Sequence, residues 1–239
     1  LTDVTGVQTC ALPISSGVTV DRFGNLFIAE SGAKRVLVYD LLEPRLLRKI
    51  GVSPHRPLDC DHLGERVYLL LDDPVRVMIM EARLGPWAIC LSAESGEAES
   101  KTPPELEEDI LAAHGTPSRI AVGQNGVVYI LFNGGKKNAA VVPLKPAASR
   151  QAFCFQVDSG KIFTCEFATD LTFMSDVEST SSALSQLLVV GRRPGEDFLV
   201  FSVDGKGRRD PKPPLTARNY DGRGIVCTPD NRILFWTSR

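Results

Sequence analysis

The feature that most constrains the fold is a repeat of short β-branched runs separated by turns rich in Gly, Asn and Asp. The clearest unit covers residues 17–40 and contains three predicted strands, with turns at residues 21–25 and 31–34. Short apolar runs bounded by such turns are typical of an antiparallel meander. The pattern recurs along the chain with decreasing fidelity. We place the units near residues 17–50, 57–91, 116–157, 168–215 and 222–239.

The spacing of these units predicts how they assemble. Their first strands begin about 40 to 60 residues apart, which is the range for four-stranded propeller blades. Blades stacked face to face bury both faces of each sheet, which accounts for continuous apolar runs such as residues 67–71. We therefore predict an all-β fold, a β-propeller of four-stranded antiparallel blades, with about four blades and a partial fifth in an incomplete ring. Linear β-stacking remains an alternative, and a two-sheet sandwich fits the periodic turns less well.

Residues 17–40 also resemble one known repeat family. The match has a first strand, an Asp-x-x-Gly-Asn turn, a Leu-Phe-Ile-Ala strand, and an Arg-Val pair followed by an aromatic-Asp ending. The residues that carry it are Asp21, Gly24, Asn25, Arg35, Val36, Tyr39 and Asp40. This unit resembles an NHL repeat, although Glu30 stands where the family usually has Asp. The resemblance implies a propeller, often six-bladed, with ligands at one end of the central channel, and it implies no reaction.

The first residues have a different character. Residues 4–14 resemble the translation of a sequencing-adapter read-through, as in a fragment from metagenomic reads. We therefore interpret residues 1–14 as a non-native leader and expect residues 15–239 to form the partial propeller domain.

Composition excludes some classes of partner. The net charge of −2 and the pI near 6.0 indicate no general attraction to nucleic acid. No apolar run approaches the roughly 20 residues that a membrane-spanning helix needs. Five cysteines lie outside the leader, an odd number without zinc-ligand spacing, so we favour a reducing, cytoplasmic environment. They are Cys60, Cys90, Cys154, Cys165 and Cys227.

Several loops interrupt the repeat. The acidic insertion at residues 92–115 is predicted to contain a short helix at residues 105–113, docked on the rim or acting as a partner-binding lid. The basic, Pro-rich segment 205–214 is predicted to be an exposed linker, with phosphate binding as the alternative. Residues 153–165 are predicted to form a hairpin that places Cys154 opposite Cys165, with Cα atoms about 5.5 Å apart. A disulfide between them is the less favoured alternative.

One segment is dense in ligand-type side chains: Asp59, Cys60, Asp61 and His62. Strand alternation places the two carboxylates on one face and the other two side chains on the opposite face, so a shared metal ion would need a bulge. The sequence contains no GxSxG, P-loop, HExxH or dinucleotide fingerprint. We assign no catalytic, cofactor or metal-binding residues.

These observations favour a non-catalytic binding or scaffolding propeller, in a larger bacterial or phage-tail-like assembly. We expect a protein partner, with a small molecule or glycan as alternatives, and nucleic acid is disfavoured by charge. A metal-dependent gluconolactonase-like hydrolase is the second hypothesis. It would need channel ligands that include Asn, and Asn25, Asn125 and Asn231 are expected to serve turns instead. An RNA-binding NHL domain is the third.

Overall fold

The computed structural model describes most of the predicted blades. The described residues are 15–21, 23–72, 75–81, 114–123, 125–134, 139–146, 155–157, 162–165, 167–174, 186–192, 198–203, 215–217, 221–227 and 233–238. Within these ranges the chain forms five antiparallel sheets whose strands are paired almost entirely in chain order. No helix within them is long and apolar enough to cross a membrane.

Each sheet is one blade, numbered from the N-terminal side. Blade 1 consists of β1 Ser15–Val20, β2 Asn25–Glu30, β3 Arg35–Asp40 and β4 Arg45–Gly51. Blade 2 consists of β5 Pro57–Leu63, β6 Arg66–Leu71 and β7 Arg76–Glu81. Blade 3 consists of β8 Gly115–Val122, β9 Val128–Gly134, β10 Ala139–Pro146, β11 Phe155–Val157 and β12 Phe163–Cys165. Blade 4 consists of β13 Phe167–Met174, β14 Gln186–Arg192, β15 Phe198–Val203 and β16 Leu215–Ala217. Blade 5 is described by β17 Asp221–Cys227 and β18 Ile233–Ser238.

The first turn of blade 1 shows why its sequence folds locally. The Oδ1 atom of Asp21 accepts the backbone N–H groups of Phe23 and Asn25 at 2.8 and 2.9 Å. The Asn25 side chain donates to the other oxygen of Asp21 at 2.8 Å, and Gly24 adopts a φ of 82° that favours glycine. The residues that carry the NHL-like resemblance in this turn therefore stabilise the turn itself.

The blades stack through apolar clusters that lie between consecutive sheets. Strand β6 illustrates the arrangement, because Val67, Leu69 and Leu71 pack towards blade 1 whereas Tyr68 and Leu70 pack towards blade 3. A third cluster joins blades 3 and 4 around Leu131, Val141, Leu187 and Val189. Full burial of one such aliphatic side chain stabilises the fold by about 1.5–3 kcal/mol. The prediction that stacking buries both sheet faces is confirmed for these blades.

The end of blade 3 differs from the sequence-based prediction. Strands β11 and β12 do not pair with each other, because both pair with β10: Phe155 lies opposite Pro146, and Cys165 lies opposite Ala139. They occupy successive stretches of one interrupted fourth strand, at opposite ends of β10. The predicted hairpin is therefore wrong, and so is the register that placed Cys165 beside residue 154.

Other predicted features lie outside the described residues. They are the leader at residues 1–14, the last part of the second unit at residues 82–91, the acidic helix at residues 105–113, the basic segment at residues 205–214, and Cys154 itself.

Candidate functional site at the channel-lining strands

The first strand of each blade contacts the first strand of the next, and these strands form the inner layer of the propeller. Each of them contains a register shift near its start, and the residue that follows the shift occupies the same place in every blade. These residues are Gly17, Asp59, Arg119, Asp170 and Gly224. The inner layer therefore brings two carboxylates and one guanidinium group together from blades that are distant in sequence.

Two carboxylates of β5 bind the backbone of β8. Asp59 Oδ2 accepts the N–H of Ile120 at 2.9 Å, and Asp61 Oδ2 accepts the N–H of Val122 at 2.8 Å. Along an antiparallel strand the N–H groups on one edge belong to alternate residues, so carboxylates two residues apart match their spacing. The pair covers the exposed edge of β8, as a further strand would do.

Asp170 makes the same contact one interface further on. Its Oδ2 atom accepts the N–H of Ile225 in blade 5 at 2.9 Å, and its Oδ1 atom accepts the N–H of Leu171 in its own strand at 2.9 Å. One buried carboxylate thus satisfies backbone donors from two blades. An unsatisfied buried N–H costs about 1–3 kcal/mol, so these contacts are structurally important.

Arg119 connects three blades. Its Nε atom lies 3.5 Å from Asp170 Oδ1, and its Nη1 atom donates to the carbonyl oxygens of Ser16 at 3.2 Å and Ser118 at 2.9 Å. The guanidinium group therefore ties blade 3 to blades 1 and 4 and provides the positive charge next to the buried carboxylates.

Burial dominates the protonation of this cluster. Removal from water raises the pKa of Asp59 well above its ordinary value, and the Arg119 charge and the Ile120 N–H oppose this effect. Burial likewise raises the pKa of Asp170 to about 6, against the effects of the Ile225 N–H and Arg119. Burial also raises the pKa of Asp61. Its side chain keeps 27% exposure.

The predicted alternation along β5 is confirmed by the contacts. Cys60 Sγ lies 3.8 Å from the Phe27 carbonyl oxygen and His62 Nδ1 lies 3.0 Å from Thr19 Oγ1, both in blade 1. The two carboxylates of the same segment accept backbone N–H groups of blade 3, and Asp61 Oδ1 also accepts from Thr19 Oγ1 of blade 1 at 3.5 Å. Across the residues that the structure describes, no group of three or more His, Cys, Asp or Glu side chains is placed to hold a metal ion.

The asparagines proposed for turns behave as expected where they are described. Asn25 holds the Asp21 turn, and Asn125 Oδ1 accepts the N–H of Val127 at 3.1 Å. Asn231 lies outside the described residues. Sequence reasoning missed Arg119 and Asp170, although an alignment of the five first strands on Asp59 would have placed them at the same position.

Comparisons with known proteins agree with this architecture. No family model matches the sequence, and no curated protein is similar to it at a significant level. Among solved structures, a luciferin-regenerating enzyme shares 9% identity over 93% of this chain and 68% of that chain, with a TM-score of 0.57. A chain of a nidogen/laminin complex shares 12% identity over 94% of this chain and 72% of that chain, with a TM-score of 0.55. The Cps50 (Swd1) beta-propeller domain of Myceliophteria thermophila shares 8% identity over 94% of this chain and 84% of that domain, with a TM-score of 0.50.

Identities this low are evidence of the fold alone. Together with the stacked antiparallel sheets, they establish that the chain is a β-propeller of four-stranded blades, with four blades and part of a fifth arranged in an incomplete ring.

Proposed function

We propose that this chain is a non-catalytic propeller that binds or scaffolds a protein partner within a larger assembly. The observation that carries the proposal is that the inner carboxylates serve as hydrogen-bond acceptors between blades. Asp59, Asp61 and Asp170 each bind backbone N–H groups of the following blade, so these charged groups hold the blades together. The nidogen/laminin structure is a complex of proteins, which fits a binding role for this architecture.

The alternative of a gluconolactonase-like hydrolase requires carboxylate and Asn oxygens that converge on a metal ion in the channel. In the described blades, the inner carboxylate oxygens accept backbone hydrogen bonds, and Asp170 also forms an ion pair with Arg119. Asn25 and Asn125 serve turns. Similarity to the luciferin-regenerating enzyme concerns the fold and supports no activity here. An RNA-binding role is less favoured because Arg119 is paired with Asp170 and the net charge is −2.

Finer features of the proposal concern the repeat family, the compartment and the assembly. The Asp21 turn supports an NHL-like first blade, and the buried free thiol of Cys60 fits a reducing, cytoplasmic environment. The bacterial or phage-tail-like setting of the assembly is part of the same proposal.

The experiment that tests the proposal measures metal binding and hydrolysis together. Calorimetric titration with Ca²⁺, Mn²⁺ and Zn²⁺ is combined with an assay of lactone hydrolysis. The chains are the parent, Asp59→Asn and the control Asp40→Asn, at the half-buried end of β3. We expect no metal-dependent turnover in any chain and a loss of thermal stability in Asp59→Asn. Saturable metal binding with hydrolysis that Asp59→Asn abolishes and Asp40→Asn retains would overturn the proposal in favour of the hydrolase.

A further inference from the structure

Three side-chain donor atoms meet between the first strands of blades 1 and 2. Thr19 in β1 supplies a hydroxyl group, and Asp61 and His62 in β5 supply a carboxylate and an imidazole. Thr19 Oγ1 lies 3.0 Å from His62 Nδ1 and 3.5 Å from Asp61 Oδ1, and the latter two atoms are 3.8 Å apart. We call Thr19 Oγ1, Asp61 Oδ1 and His62 Nδ1 the seam triangle.

The alternation of β5 does not keep its two members of the seam triangle apart. Asp61 and His62 are consecutive residues, so their side chains leave opposite faces of the strand. The backbone N–H of His62 donates to Asp61 Oδ1 at 2.7 Å, and this hydrogen bond holds the oxygen beside its neighbour. Thr19 then supplies a third donor from the adjacent blade. A metal ion shared by these side chains therefore needs no bulge at this point of the strand.

The spacing of the seam triangle matches a zinc ion. Bonds from Zn²⁺ to imidazole nitrogen and carboxylate oxygen are about 2.0–2.2 Å long, so neighbouring donors of a zinc tetrahedron are about 3.4 Å apart. The three distances of the triangle, 3.0, 3.5 and 3.8 Å, lie on both sides of this value. Ca²⁺ needs longer bonds and Mg²⁺ prefers oxygen ligands alone, whereas imidazole is a good ligand for Zn²⁺.

Each donor has a lone pair for the ion. Asp61 Oδ1 accepts the N–H of His62 and Oδ2 accepts the N–H of Val122, which leaves one lone pair on each oxygen. A neutral imidazole has a lone pair on one ring nitrogen, and a threonine hydroxyl binds metal ions in phosphate-binding loops. The His62 and Asp61 side chains are 32% and 27% exposed, so water has access to a fourth position.

The electrostatics at Asp61 favour a cation. Burial raises the pKa of this carboxyl, and the hydrogen bonds from Val122 and His62 offset the effect only in part. Burial and the Asp61 charge both raise the pKa of Tyr68 in the next strand. A divalent ion would compensate this negative charge, and Asp61 would keep its contact with blade 3 through Oδ2.

We propose that the seam triangle binds a Zn²⁺ ion through Thr19 Oγ1, Asp61 Oδ1 and His62 Nδ1, with water as the fourth ligand. The ion connects β1 with β5 and so joins blade 1 to blade 2. The ligand set contains one carboxylate and no Asn, so it differs from the set that the hydrolase alternative requires. The proposal is independent of the proposed binding function and adds a metal site to it.

The test is competition for Zn²⁺ between the intact chain and a chromophoric chelator at neutral pH, with the thiols kept reduced. We expect saturable binding by the parent. His62→Gln should weaken the affinity by at least about tenfold, since the loss of even an outer partner of a metal ligand commonly costs this much. His55→Gln is the matched control, because this histidine lies in the connection between β4 and β5, and it should leave the affinity unchanged.

A second pair of variants tests the hydroxyl ligand. Thr19→Ser retains a hydroxyl group and should keep the affinity of the parent, whereas Thr19→Val should weaken it by at least about threefold because an apolar group cannot bind the ion. Circular dichroism establishes that each variant folds like the parent. Zn²⁺ should raise the thermal midpoint of the parent more than that of His62→Gln, because an ion that binds only the folded state stabilises it.

Substitution by Co²⁺ identifies the type of ligand. We expect the visible bands of a tetrahedral site without the near-ultraviolet charge-transfer band of a thiolate, because Cys60 Sγ contacts the Phe27 carbonyl oxygen and is not part of the triangle.

Absence of saturable Zn²⁺ binding by the parent would overturn the inference. Equal affinities of His62→Gln and the parent, equal affinities of Thr19→Ser and Thr19→Val, or a thiolate band in the Co²⁺ form would also overturn it, since each locates the ion elsewhere. The proposed function fails only if metal-dependent hydrolysis is found, so the two failures are distinguishable.

Discussion

Replacing Asp170 by Asn removes a charge that the fold buries at the interface between blades 4 and 5. Burial raises the pKa of this carboxyl to about 6, compared with about 3.9 in an unfolded chain. The folded state therefore binds the proton more tightly than the unfolded state does. By linkage, the contribution of this group to folding stability increases as the pH falls through 6 towards 4 and is absent above 7.

The size of the effect follows from the two pKa values. A difference of about two pKa units corresponds to about 3 kcal/mol once the pH lies below both values. Between about pH 7.5 and about pH 5 the same relation gives a gain of about 1.4 kcal/mol in the parent chain. Asp170 also raises the pKa of Asp59 through charge repulsion. Removing the Asp170 charge therefore also reduces the stability that protonation of Asp59 adds at low pH.

The assay is urea denaturation followed by far-UV circular dichroism at the two pH values. We expect the Asp170→Asn chain to lose about 1.4 kcal/mol of the stability difference that the parent shows between them. Its stability at the higher pH should also fall by about 1–3 kcal/mol, because the amide has a single acceptor oxygen and cannot accept from both the Leu171 N–H and the Ile225 N–H, which bind different oxygens of Asp170. Asp40→Asn makes the same chemical change at the end of β3 and should keep the parent's stability difference between the two pH values.

The reasoning is refuted if Asp170→Asn retains the full difference between the two pH values. It is equally refuted if lowering the pH from 7.5 to 5 destabilises the parent chain relative to Asp170→Asn, since the raised pKa requires the opposite sign.

Three further substitutions test the packing of the inner strands. Gly17→Ala should lower the free energy of unfolding in urea by about 2–4 kcal/mol, because the added Cβ would lie 2.6 Å from the Asp59 Cα atom. Gly51→Ala is the control: its added Cβ would have no atom within 4 Å, so the free energy of unfolding should change by less than about 1 kcal/mol. Asp21→Ala removes the acceptor of three hydrogen bonds in a buried turn and should cost about 2–4 kcal/mol in thermal unfolding, whereas an unchanged midpoint would contradict its structural role. Arg119→Met leaves the Asp59 and Asp170 carboxyl groups without their neighbouring positive charge. It should lower the free energy of unfolding by about 3–5 kcal/mol at neutral pH and by less at about pH 5. Equal losses of stability at both pH values would show that only packing is lost.

Local features of the sequence predicted most of the strands correctly. The predicted turn at residues 21–25 is present, because hydrogen bonds within a few residues determine it. The interrupted strand of blade 3 was predicted wrongly for a related reason. The Ser159-Gly160 pair within residues 153–165 favours a tight hairpin turn locally. The edge of β10 is long enough, however, to pair with both Phe155 and Phe163.

The inner cluster could be found only in part. Alternation along β5 correctly separated Asp59 from Cys60, since a strand has a period of two whatever it packs against. The partners of the carboxylates are 55 or 61 residues away, 61 between Asp59 and Ile120, so no local pattern indicated them. An acidic strand segment in a sequence is equally consistent with a solvated edge, a metal site or a contact between blades.

The sequence by itself determined that this chain forms short antiparallel strands which bury both faces, because strand periodicity and turn chemistry act over a few residues. Only the tertiary structure decided what the buried charges do. Stacking of the blades brings Asp59, Arg119 and Asp170 to one level of the inner layer, where removal from water and backbone N–H donors determine their protonation and their partners. Those effects depend on the distance between blades in space, which separation along the chain does not specify.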